Sequence, residues 1–239
     1  IPSAGKPSNI RTQRSQPNYL HYLFEVSPII VSMTLCQPFL VKKTSLELST
    51  GLKELMIING VSGFSYWFSS FWWSFIMMLL GALPAVSVAR VAGVIMKKSD
   101  ILVLLLGAVL HCASTVLFCL VIASVVPRPS VGLVVMSFIL FATLIIPFVL
   151  ATVIPTDIKM SSPIQTIISL INLIPNVAWS YMLANVTHLE NIDTGAQLWN
   201  MNKKGLHSLT VYRLLNIMGG SCLISTILTW YLSNIWPYN

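Results

Sequence analysis

TSLELSTGLKELMIINGVSGFSYWFSSFWW, residues 44–73, is the stretch from which the rest of the chain is read. Its first half carries Glu47, Lys53 and Glu54. Its second half is an aromatic apolar run that continues without a charge to Arg90. Thr44 and Glu47 have the Thr-x-x-Glu spacing of a capping box, in which hydroxyl and carboxylate each satisfy an orphan backbone N–H, and this predicts a helix start at Thr44. Leu48, Leu52, Leu55 and Met56 recur at helical spacing and predict one apolar face. Asn59-Gly60 predicts a left-handed C-cap, and Ser62-Gly63 a turn before the apolar run. The physical reading is a short amphipathic helix, residues 44–60, joined by an elbow to a membrane span. Such a helix either lies on the bilayer surface or passes motion into it, and the residues support both.

Composition sets the class. Of 239 residues, 55% are hydrophobic and 9% charged, and the mean hydropathy is +0.79. A soluble domain carries about 25% charged residues, so this chain lacks the polar surface to stay in water. It reads as a multi-pass protein of the plasma membrane or an endomembrane. No stretch has the layout of a signal peptide. The chain begins at Ile1 rather than Met and ends directly after a span, which suggests a fragment or a processed piece. The net charge of +7 is spread thinly over Arg11, Arg14, Lys42, Lys43, Lys97, Lys98, Lys203 and Lys204, among others. Lipid headgroups account for such residues, and no basic-aromatic patch suggests nucleic acid. Cys36, Cys112, Cys119 and Cys222 fall inside apolar runs without a Cys-x-x-Cys and read as buried free thiols.

Residues 1–18 are polar and proline-rich and read as a tether. The first span is expected over 20–41, with Glu25, Pro28 and Pro38 inside it and Lys42-Lys43 ending it at a headgroup layer. Further spans are expected over 64–88, 101–126, 131–154 and 209–236, each matching the ~20 apolar residues that cross a bilayer core. Region 156–207 is harder to read. Ser162-Pro163 resembles a helix start, and Pro175-Asn176 interrupts two apolar pieces. The pieces form either one broken span or a re-entrant pair, and Asn172, Pro175 and Asn176 favour the pair. The expected fold is thus all-α, a polytopic helical bundle of about five spans plus a re-entrant pair.

Chemistry is sparse. His21, His111, His188 and His207 show no metal-ligand spacing, so no metal site is expected. Neither a Gly-x-Ser-x-Gly elbow nor a Gly-x-x-x-x-Gly-Lys phosphate loop occurs, so no catalytic residues are assigned. Glu25, Arg90 and Arg213 lie near predicted span ends, where snorkelling satisfies them. Asn185-Val186-Thr187 is a glycosylation sequon. Trp67, Phe71, Trp72 and Trp73 form either an interfacial aromatic belt or a lipid-facing surface.

These residues resemble the second part of a transmembrane half from subfamily A of the ABC transporters, the large lipid exporters. The likeness begins near Pro17-Asn18-Tyr19. It is strongest in Gly51-Leu52-Lys53-Glu54-Leu55-Met56, Asn59-Gly60-Val61 and Tyr66-Trp67. It continues through Ser99-Asp100, Pro175-Asn176-Val177-Ala178, Gly195 with Trp199, and Thr229-Trp230-Tyr231-Leu232 with Pro237. The resemblance implies that residues 1–18 are exofacial and 19–239 a partial transmembrane domain. It implies an upstream first span, a nucleotide-binding domain after Asn239 that would bring ATP and Mg, and a second transmembrane half on the same polypeptide. Helix 44–60 would be a cytoplasmic coupling helix, with Glu47, Leu52, Lys53, Glu54 and Met56 as its working residues, and 156–207 an exofacial re-entrant region. Two positions depart from the family pattern: the acidic-basic run before the coupling helix is Thr44-Ser45-Leu46-Glu47, and an acid of the last span is Ser221. The Lys and Arg bias runs against the implied orientation, with Lys42, Lys43, Lys53 and Arg128 inside but Lys97, Lys98, Lys159, Lys203 and Lys204 outside. The expected function is the membrane part of an ATP-driven lipid transporter. The alternative is a channel or a non-transporting scaffold, although the spans lack the polar stripe of a channel.

Overall fold

The computed structural model describes residues 19–91, 98–126, 128–153, 162–192, 194–203, 205 and 209–235. The tether 1–18, part of region 156–207, and Lys97, Lys159, Lys204, His207 and Pro237 lie outside them. The described residues contain no strand. They form α1 (Tyr19–Thr34), α2 (Gln37–Ser49), α3 (Leu52–Ile58), α4 (Gly63–Val91), α5 (Ile101–Val125), α6 (Pro129–Val153), α7 (Ser162–Ile171), α8 (Pro175–Asn191) and α9 (Val211–Ile235). Five helical runs are long and apolar enough to cross a bilayer: Leu20–Ser49, Gly63–Val88, Ile101–Val125, Pro129–Val153 and Val211–Ser233. The chain is a polytopic helical membrane protein, as its composition requires.

The first run corrects the sequence reading. Lys42 and Lys43 do not end it, because α2 continues past them to Ser49. Both lysines are exposed, while Val41, Thr44, Ser45 and Leu48 on the other side of α2 are buried. Long aliphatic stems let lysine flank a packed helix without ending it. Val41 packs with Cys119 and Ala123 of α5 and Met136 of α6. Thr44 and Glu47 are therefore mid-helix residues and make no capping box. The break falls later, at Gly51, whose φ of 71° is open to glycine at little cost. The expected helix 44–60 is thus two pieces, the end of α2 and the seven-residue α3. The far end follows expectation. Gly60 has φ 88°, its N–H reaches Ile57 O at 3.0 Å, and Val61 N–H reaches Met56 O at 3.0 Å, a Schellman stop. Ser62 then caps α4, its Oγ accepting Ser65 N–H at 3.1 Å.

The α7–α8 pair is bent by 114°. Its turn reaches the middle of the bundle: Ser221, midway along α9, donates to Leu173 O at 2.8 Å. Beside it, Asn176 exchanges hydrogen bonds with Gln37 at 2.7 and 3.0 Å and donates to Thr143 of α6 at 3.1 Å. From there α8 runs back out, and His188 near its end meets the Tyr22 hydroxyl at 3.4 Å. Tyr22 is in the first turn of α1, and Phe24 two residues on packs against Phe148 near the end of α6, with ring centroids 5.2 Å apart. A bend beyond 90° turns α8 partly back against the direction of α7, a geometry that fits the expected re-entrant pair. In its non-helical turn Asn172 is buried and Leu173 O is satisfied by Ser221, as backbone at membrane depth requires.

Helix α8 is the centre of the core. Every residue from Pro175 to Thr187 is buried, and α8 packs against α1, α5, α6 and α9. Gly107 of α5 lets the backbones approach, since a Cβ there would overlap the Met182 side chain and sit 3.1 Å from Trp179. Small residues serve this purpose in membrane bundles. One turn along α5, His111 stacks on Trp179 with centroids 5.1 Å apart and planes 12° from parallel.

Candidate functional site

Two polar constellations lie at opposite ends of α4, whose 29 residues span roughly 43 Å at 1.5 Å per residue. The first surrounds α3. No residue of α3 is buried: Leu55 is 59% exposed and Ile58 83%. The expected apolar face is divided, with Leu48 buried on α2 and Leu52, Leu55 and Met56 exposed on α3. Side chains on either side of the break hold it. Glu47 on α2 accepts the Tyr66 hydroxyl of α4 at 3.3 Å and lies 3.8 Å from Lys43. Lys53 on α3 donates to Ser233 O near the end of α9 at 3.4 Å. Trp67 of α4 donates its indole N–H to Ser233 Oγ at 3.0 Å, and Lys53 Nζ stands 5.7 Å from the Trp67 ring centroid. Lys53 and Glu47 are brought to a junction of α2, α3, α4 and α9, whereas Glu54 is exposed.

Next to this junction is a groove of about 840 Å³ between α3, α4, α5 and α9. Leu120 and Thr229 are buried in its floor, and Phe64, Phe68, Ile227 and Trp230 stand exposed at its rim. The four aromatic residues singled out from sequence divide here. Trp67 and Phe71, four apart and so on one helix face, line the groove. Trp72 and Trp73 point away and are exposed, with Lys43 Nζ 5.4 Å from the Trp73 ring. An exposed, cation-capped tryptophan fits an interfacial belt.

The second constellation joins the turn before α5 to the turn after α8. Glu190 accepts Lys98 N–H at 2.7 Å and the Ser99 hydroxyl at 3.1 Å. Ser99 Oγ accepts Ala196 N–H at 3.1 Å. Asp100 N–H reaches Ala196 O at 2.8 Å, and its carboxylate accepts Leu198 N–H at 3.2 Å. Arg90, at the end of α4, donates to Ser99 O at 2.9 Å. Gly195 sits between these turns at φ 60°, where a Cβ would come 2.5 Å from Lys98 O. Ser99-Asp100 and Gly195, far apart in sequence, are thus a single structural unit, while Trp199 beside it is exposed.

Glu25 pairs with His21 at 3.2 Å, and Arg213 is exposed near the start of α9. Asn185, the residue of the sequon, lies inside the core. It is fully buried on α8 with its Nδ2 donating to Tyr181 O at 2.8 Å, and Thr187 is buried too. The carboxamide side chain lies against Gly205. The described cysteines are unpaired thiols, Cys112 and Cys119 buried, Cys36 and Cys222 half-buried. Among the described residues no three His, Cys, Asp or Glu side chains gather as metal ligands.

The partnership of Gln37 with Asn176 and the role of Ser233 were missed by sequence reasoning. A glutamine inside an apolar run is a signal of a buried polar partner. Ser233 has no such mark.

Residues 3–231 match the family model described as ABC-2 family transporter protein. No curated protein matches the chain.

Proposed function

The chain belongs to the ABC-2 family of transporter membrane proteins, and from that premise we propose that it is the membrane-spanning part of an ATP-driven lipid transporter in which α3 relays motion to the spans. Membership implies an ATP-binding component that works with this membrane domain. In this reading that component supplies ATP and Mg, does all the hydrolysis, follows on the same polypeptide, and meets α3 on the cytoplasmic side. A second transmembrane half completes the transporter, and the likeness of residues 51–61 to subfamily A makes lipid its cargo.

One observation carries the coupling role. The helix α3 buries nothing of its own, yet it is bounded by positive-φ glycines at Gly51 and Gly60 and tied by Lys53 to the end of α9. An element free of the core can shift as a body, and its ties carry the shift into α4 and α9. Exposed apolar side chains on such an element call for a partner surface. The test is ATP hydrolysis and lipid export by the whole transporter carrying Glu54→Lys, a charge reversal at an exposed position. Uncoupling, with hydrolysis retained and export lowered, supports the relay. Export per ATP equal to that of the unaltered transporter removes α3 from the mechanism.

A further inference from the structure

The groove beside α3 has an uneven chemistry along its length. Most of its lining is aromatic and aliphatic; Lys53 Nζ, the Trp67 indole and Ser233 meet at one end, while the Thr226 and Thr229 hydroxyls farther along α9 donate to their own helix at Cys222 O and Ser225 O. Lys53 is held there by a neutral carbonyl and a ring face, and among the described residues no carboxylate lies within ion-pair distance of it. Lys43, one helix away, makes the contrast: it also stands over a tryptophan, but Glu47 neutralises it at 3.8 Å. A positioned, unneutralised cation at the mouth of an apolar groove favours a ligand with a negative head and an apolar tail. Basic residues at helix ends recognise anionic headgroups in this way, and tryptophan sits well at the same depth. The groove volume of about 840 Å³ is within the range of small-ligand sites.

We propose that this groove holds one resident anionic phospholipid, its phosphate on Lys53 and one acyl chain lying between Phe68 and Trp230. The lipid is a fixture rather than cargo, so the site stands whether or not the transported substrate is a lipid. It joins α3 to α9 through a bound molecule in addition to the direct Lys53–Ser233 contact.

Retention of lipid through purification tests this without ATP, and so independently of whether α3 couples to hydrolysis. The full transporter is equilibrated in nanodiscs of dioleoyl phosphatidylcholine with a minority of dioleoyl phosphatidylglycerol, extracted, and its retained lipid counted by mass spectrometry. The expected result is about one phosphatidylglycerol retained per groove in the unaltered protein and in Lys53→Arg. Lys53→Gln is expected to lower that retention about tenfold, and Lys43→Gln to leave it unchanged. Thermal melting of each variant confirms that it is folded, and a photocrosslinker at Phe68 reads the occupant directly. Equal retention by Lys53→Gln and the unaltered protein overturns the proposal. So does indifference between the two lipids, or a Phe68 crosslink that marks polypeptide in place of lipid.

Discussion

Where α4 finishes, the short Ser99 and Glu190 side chains and one backbone bond, Asp100 to Ala196, tie the backbones of two turns together, and Gly195 lets those turns close to contact. Where α4 begins, α3 is held by a few side chains: Glu47 to Tyr66, Lys53 to Ser233, Trp67 to Ser233. Several converging bonds on two closely apposed turns fix one arrangement, whereas a few long side chains tolerate displacement of the element that bears them. The same division appears in burial. Helix α8 at the fixed end is buried along almost its whole length, and α3 is buried nowhere. The bundle is therefore built with one rigid end and one adjustable end, the arrangement a relay needs.

The largest expected effect attacks the rigid end. Gly195→Ala forces a non-glycine residue to φ 60° and drives its Cβ against Lys98 O. Strain of about 1–3 kcal/mol adds to overpacking of similar size, so thermal unfolding in detergent should show a loss of about 3 kcal/mol. Gly60→Ala makes the same change at the adjustable end, where φ is 88° but no atom lies within 4 Å of a new Cβ. Only the strain remains, and the loss should be about 1 kcal/mol in the same melting measurement. Equal losses at the two glycines would erase the distinction between the ends.

Between these lies the mid-bundle pair. Gln37→Leu leaves the Asn176 amide short of partners in the core, with an expected cost of about 1–3 kcal/mol. Adding Asn176→Leu should recover part of it, and a double-mutant cycle by thermal melting measures that coupling. Strict additivity would mean that the pair does not hold the re-entrant turn to α2. The smallest stability effect belongs to α3. Leu55→Ser and Ile58→Ser change exposed residues and should shift stability by no more than about 0.5 kcal/mol, while lowering export per ATP in the intact transporter. Loss of stability in step with export would show that α3 is a structural element and no relay.

Much of the fold was legible because bilayer thickness is a length that apolar runs must match, and four of the five spans begin and end within a few residues of expectation. Pro175-Asn176 announced the re-entrant turn, and Asn59-Gly60 the end of α3, because proline and glycine restrict or free the backbone locally. The end of the first span was misread for a complementary reason. Whether Lys42-Lys43 stops a helix depends on what packs behind Val41, Thr44 and Ser45, and that surface comes from α5 and α6. The capping-box pattern at Thr44 failed because the motif is local, and α2 runs straight through it from Gln37 to Ser49. At the site, Lys53 and Trp67 were legible as residues, but their meeting at Ser233, 180 and 166 positions away, leaves no periodic trace. The division of the aromatic run was within reach, since Trp67 and Phe71 share a helix face that Trp72 and Trp73 do not.

The central claim is that α3 meets the ATP-binding component rather than lying on lipid. A photocrosslinking amino acid in place of Ile58, the most exposed apolar residue of α3, tests it in the intact, membrane-embedded transporter. The account predicts an adduct with the ATP-binding component whose yield changes when ATP is added. Adducts with lipid alone, the same with and without ATP, would contradict it.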